Sequence, residues 1–178
     1  NLRGVIKCLR NNIYEININN ASCEDALNIV RSKGTIENIL INKTISDGVD
    51  FDFSDIEINN INIKSSGGDC IDLSFGNYKF KNVNVKNCID KGISVGEKSS
   101  FNAVNLSMIN NNTGIAIKDS SVANVTNINQ TYNNNTCISL YNKKPEFNSG
   151  KLYYIKIPDS CIKNTLLDDN SRLIKIVN

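Results

Sequence analysis

A small residue followed by an aliphatic one recurs every 22 residues through most of this 178-residue chain, with one final step of 23. The pairs are Gly4-Val5, Ala26-Leu27, Gly48-Val49, Cys70-Ile71, Gly92-Ile93, Gly114-Ile115 and Cys137-Ile138. Two positions after the aliphatic member stand Ile29, Phe51, Leu73, Val95, Ile117 and Leu140, whereas the first unit has Lys7. A second alternating run follows within the unit, as in IEINNINI at 56–63 and FKNVNV at 80–85, and Asn38, Asn60 and Asn82 keep the same period. Self-similarity at one fixed length argues for a stacked repeat and against a sandwich of hairpins, whose loops keep no period.

Within each unit the apolar positions alternate, which is the strand period, and Asn or Gly stands where the chain must turn. Composition agrees: 32 Asn and 26 Ile against two Pro suit many short strands joined by tight turns. These features predict an all-β chain, a parallel β-helix of seven 22-residue coils over residues 4–145, right-handed by analogy with most parallel β-helices. Successive coils stack about 4.8 Å apart. Ile71, Ile93 and Ile115 then form one buried ladder, and the periodic Asn a hydrogen-bonded corner ladder. The coils occupy residues 1–147. Residues 148–178 leave the period, and their strand-like KLYYIKI and RLIKIV runs read as a cap on the C-terminal end. Open solenoid ends need covering. The first coil has no comparable cap, which points to an upstream domain, a partner or end-to-end self-association. The start at Asn1 without Met reads as a processed product or a piece of something longer.

A net charge of +2, with no basic run longer than Lys143-Lys144, gives nucleic-acid binding no support. No stretch approaches the ~20 apolar residues of a membrane span. Six cysteines without a CxxC pair, in a chain with no His, argue against zinc. Thiols filling small core positions are the first reading for them, and a disulfide in an exported protein the second.

Alternation also fixes what points outward. With Val49 and Phe51 inside, Asp50 and Asp52 face solvent, as do Asp72 and Ser74, then Ser94 and Gly96. Two positions before each anchor stand Asp25, Asp47, Asp69 and Lys91. Carboxylates one strand spacing apart repel by roughly 3.5 kcal/mol at an effective dielectric near 20. Such a stack calls for a cation, a shared proton or an ammonium, unless it is simply a solvated face. Lys91 is placed to be the ammonium. Calcium held by Asp47, Asp50, Asp69 and Asp72 is the other solution, since clustered carboxylates supply hard oxygen ligands. Glu97-Lys98, Lys118-Asp119 and Lys143-Lys144 recur beyond the strand and would make a mixed-charge rim.

Two resemblances attach to these motifs. SDGVDF, GGDCIDLSFG, KGISVGE and GIAIKD resemble, in order, the four active-site segments of polygalacturonases. That resemblance implies catalytic roles for Asp47, Asp69 and Lys118, with Lys91 where the family has His. It is incomplete, because Gly68 stands for one paired acid and Ala116 for the arginine. EDALNIVRS, DGVDFDFS, DCIDLS, DKGISVGEKSS, GIAIKDSS and YNKKPEF, over 24–147, are similar to a family of bacterial pectate-lyase-like β-helix domains. These often follow CotH-like spore-coat kinase domains. The second resemblance implies a secreted or cell-surface protein and brings no established activity.

Two functions follow. One is binding, or processing, of polysaccharide on the Asp/Lys face, with Asp50, Asp72, Glu97, Lys98 and Asp119 as binding residues and Asp47, Asp69, Lys91 and Lys118 as catalytic candidates. Paired carboxylates suit hydrolysis, and a Lys beside calcium suits β-elimination. The other is a non-catalytic structural or assembly module.

Overall fold

The computed structural model describes residues 5–7 and 12–177. Gly4 and Cys8, assigned above to the first coil, lie outside the described residues. The chain runs as a parallel β-solenoid in which short and long strands alternate. The short strands are β1 (Val5–Lys7), β3 (Asp25–Val30), β5 (Asp47–Asp52), β7 (Ile71–Ser74), β9 (Lys91–Gly96), β11 (Thr113–Lys118), β13 (Thr136–Tyr141) and β15 (Thr165–Leu167). The long ones are β2 (Ile13–Ala21), β4 (Lys33–Thr44), β6 (Asp55–Ser66), β8 (Asn77–Cys88), β10 (Ser100–Ile109), β12 (Val122–Tyr132), β14 (Lys151–Lys156) and β16 (Arg172–Lys175). Odd strands stack in chain order into one 8-stranded sheet, and even strands into another.

The core sits between the two sheets. Ile71 pairs with Ile93, Ile93 with Ile115 and Ile115 with Ile138, and all four are fully buried. In β6 the inward alternation runs Ile56, Ile58, passes over Asn59-Asn60 and resumes at Ile61, Ile63. A strand keeps one face inward across such a slip only by turning a corner there. The Asn side chains fasten that corner: Asn60 donates to Asn38 at 3.1 Å, Asn82 to Asn60 at 3.0 Å and Asn105 to Asn82 at 3.0 Å. The expected Asn ladder is present.

The small residue before each anchor has a steric cause. A Cβ on Gly48 would lie 2.5 Å from the Cys70 carbonyl oxygen, and one on Gly114 would lie 2.6 Å from that of Cys137. The next coil's backbone passes directly over this column. Cysteines also occupy it. Cys70 is bonded to Cys88, with Cα atoms 5.6 Å apart, and Cys137 to Cys161, at 5.2 Å. The buried-thiol reading is therefore corrected for these four residues, which tie the turn before β7 to the end of β8 and β13 to the helix of the tail.

Residues 148–178 are more than a cover. β14 pairs with β12, β16 with β14 and β15 with β13, so the tail adds rungs to both sheets. Its one helix, α1 (Asp159–Lys163), carries Cys161 into the core. Among the described residues no helix is long and apolar enough to cross a membrane.

Candidate functional site

The carboxylates line the outer face of the short-strand sheet in three columns. The first runs Asp25, Asp47, Asp69 and Lys91. Two of its acids reach the backbone of the next coil: Asp47 Oδ1 accepts the Asp69 amide at 2.8 Å, and Asp69 Oδ1 accepts the Lys91 amide at 2.8 Å. Lys91 Nζ lies 3.4 Å from Asp69 and 2.5 Å from Asp90. The predicted ammonium at the end of the column is there.

The second column runs Asn28, Asp50, Asp72, Ser94 and Ala116 in register. Asn28 donates to Asp50 Oδ2 at 2.9 Å, whereas Asp72 Oδ1 is buried without a hydrogen-bond partner. The third holds Asp52, Ser74, Gly96 and Lys118, of which Ser74 donates to Glu97 at 2.7 Å.

Half-burial of so many like charges favours their neutral forms. Burial, then the charges of Asp52, Asp25, Asp72 and Asp47, pushes Asp50 up to about 8. Burial also carries Asp47 up to about 6, against the amide it accepts from Asp69 and with the neighbouring acids. Asp52 is raised by burial and by Asp72. Asp69 is raised by burial as well, with Lys91 opposing. For Lys91 burial works downward, but the hydrogen bond to Asp90 and the charge of Asp69 outweigh it, and the ammonium is favoured. Within this column the repulsion is met by favouring the neutral form of Asp50.

The calcium arrangement is not assembled. Among the described residues no three acidic or thiol side chains converge as a metal site. The reason is visible in the first column, where Asp47 and Asp69 spend an oxygen on the backbone of the next coil.

Two further expectations are corrected. Ser94 and Gly96 point outward but are buried. The Lys118 side chain folds back over Gly96, where a Cβ would meet its Cε at 2.8 Å, and donates to Ser94 Oγ at 2.9 Å. Lys118 is itself only 5% exposed, so this candidate catalytic residue is closed off. The rim, too, is not an open row of charges. The segment 142–149 leaves β13 and lies along the turns of earlier coils. Buried Asp119 accepts the amides of Lys143 and Lys144, each at 2.8 Å, and Lys144 Nζ pairs with Glu97 at 2.6 Å. Burial opposes ionisation of Glu97, yet hydrogen bonds from Lys144 and Ser74 hold its carboxyl below the usual range. Of the rim residues Lys98 and Lys143 stay exposed, the Lys98 ammonium lying 5.6 Å from the Phe147 ring. Asp119 and Glu97 anchor this strap from buried positions.

Sequence reasoning placed Ser74 and Ser94 on this face without giving them a role, and it missed Asn28. Their signal was the register itself, since each stands in a column with an Asp. It also missed a ring stack at the left-handed turn after the short strands, where Phe53 and Phe75 lie parallel at 4.8 Å and Arg31 covers Phe53 at 5.2 Å. Those ring faces are taken by one another and by Arg31, so the stack is a structural ladder. No protein-family model, curated protein or solved structure matches the chain.

Proposed function

We propose that this chain is a secreted or cell-surface recognition module that binds polysaccharide on the Asp50–Asp72 face. The observation that carries the reading is the uncompensated, half-buried carboxylate column of Asp50 and Asp72, flanked by Asn28 and Ser94. Perturbed acids held on an open strand face concentrate at functional sites. A carboxyl protonated near neutrality both donates and accepts, which suits sugar hydroxyls. The two disulfides, bonds typical of oxidising compartments, support the secreted or cell-surface part of this reading.

Binding is favoured over cleavage. Asp69 is tied to Lys91 and Lys118 to Ser94, so the polygalacturonase-like positions are committed to internal contacts. A second reading, an assembly module, draws on the C-terminal end, where Leu166, Leu167 and Val177 are exposed beside edge strands β15 and β16.

A glycan array probed with the wild-type chain and with Asp50→Asn/Asp72→Asn tests the proposal. Wild type retains a glycan that the double variant loses, while both keep the same circular-dichroism spectrum. Absence of any bound glycan, or equal binding by both proteins, overturns it.

A further inference from the structure

The long-strand sheet carries a feature that the carboxylate face does not explain, a groove of about 450 Å³ running across the outer faces of β6 to β14. Its first wall is a register column of Glu57, Lys79, Asn102, Asn124 and Tyr153. Two residues further along each strand stand Asn59, Lys81, Val104, Thr126 and Ile155, which line it in parallel. We propose that this groove binds a neutral polysaccharide chain lying along the solenoid axis, at a site separate from the Asp50–Asp72 face.

Three properties select that occupant. First, charge is nearly cancelled: Lys79 Nζ and Glu57 Oε1 pair at 2.8 Å, leaving Lys81 as the one further charge among the described lining residues. Second, the groove mixes amides with apolar surface. Asn124 donates to Asn102 at 3.1 Å, which leaves the remaining donors and acceptors of both amides for hydroxyl groups. Val104, unusually exposed for an aliphatic at 44%, offers apolar contact to the C–H faces of sugar rings alongside half-exposed Tyr153 and Ile155. A lipid chain would meet amides where it needs continuous apolar surface. Third, every strand along the groove is hydrogen-bonded on both sides, so an extended peptide finds no edge to extend. Recognition is left to side chains that repeat once per strand spacing, about 4.8 Å. A pyranose unit advances its chain by a comparable distance, so each coil can meet one sugar.

The size is that of a ligand site, within the usual range of about 300–1,000 Å³. Because the two faces belong to different sheets, either site can fail without the other.

Isothermal titration with cellohexaose, xylohexaose and mannohexaose, and with hexagalacturonate as the acidic comparison, tests the groove. At least one neutral hexasaccharide binds, and more tightly than hexagalacturonate. Val104→Asp weakens it tenfold or more, whereas Asp50→Asn/Asp72→Asn leaves it unchanged. Thr126→Lys, at an exposed position one coil on, reports the same loss if Val104→Asp does not fold. The proposal is overturned if no neutral hexasaccharide binds. It is equally overturned if folded Val104→Asp and Thr126→Lys bind as wild type, or if the Asp50/Asp72 variant alone abolishes binding.

Discussion

Asp69 receives Lys91 twice through one oxygen: Oδ1 accepts the backbone amide at 2.8 Å and faces the ammonium at 3.4 Å. A single carboxylate therefore fixes the start of one coil and neutralises part of its own column. The two duties separate on mutation. Lys91→Ala keeps the amide contact but removes the charge that holds Asp69 down, so the Asp69 pKa rises further above its ordinary value. Carbon-detected NMR titration of the Asp69 carboxyl reads this directly. An unchanged midpoint would show that the ammonium contributes nothing to the column.

Asp50 gives the solenoid an unusual pH dependence. Its carboxyl is pushed up to about 8 in the folded chain, chiefly by burial, from an ordinary value of 3.8. The folded state thus holds a proton that the unfolded state has released, and stability falls as pH rises from about 4 toward 8. The contribution is fully present below the unfolded value and lost above the folded one. Asp50→Asn removes the titration. At pH 8 it should stabilise by about 1–3 kcal/mol, after allowance for solvent screening of a half-exposed group, with little change at pH 4. Denaturant midpoints at the two pH values measure it, and equal effects at both would exclude Asp50 as the source.

The Ile71–Ile93–Ile115 ladder carries the sheet-to-sheet core, and Ile93 is fully buried within it. Ile93→Ala should cost roughly 2–5 kcal/mol, because flanking coils locked by backbone pairing cannot collapse into the space. Urea unfolding measures this loss. A cost under 1 kcal/mol would mean that the ladder yields more readily than its register implies.

The repeat was legible because a solenoid writes each core position into the sequence many times. Ile71, Ile93 and Ile115 stand 22 apart for the same reason that they touch. The outward columns were legible by the same logic, and the Asn corner with them. What escaped depends on contacts across coils that no local pattern encodes. Ser94 was expected in solvent because its strand position points there, yet Lys118 from the next coil lies over it through the gap left by Gly96. Asp47 and Asp69 looked like calcium ligands because side-chain chemistry is visible in a sequence and a backbone acceptor role is not. Cys70 and Cys88 gave no pairing signal, since spacing alone cannot choose among the connectivities of six cysteines.

The strap at 142–149 leaves the solenoid at the turn that follows a short strand, and the same turn in an earlier coil is one residue longer than its predecessors. Ser54 and Gly76 are 22 apart, but the equivalent Ser99 comes 23 later, with Glu97 and Lys98 both in left-handed backbone. A long strand takes an added residue only as a bulge, as in β12, whose pairing with β10 slips by one between Leu106–Ile128 and Ser107–Gln130. The turn after the short strands takes extra chain without breaking a ladder, so a grafted loop, an epitope or a reshaped recognition surface belongs after Ser74, Gly96 or Tyr141, where length is already a variable.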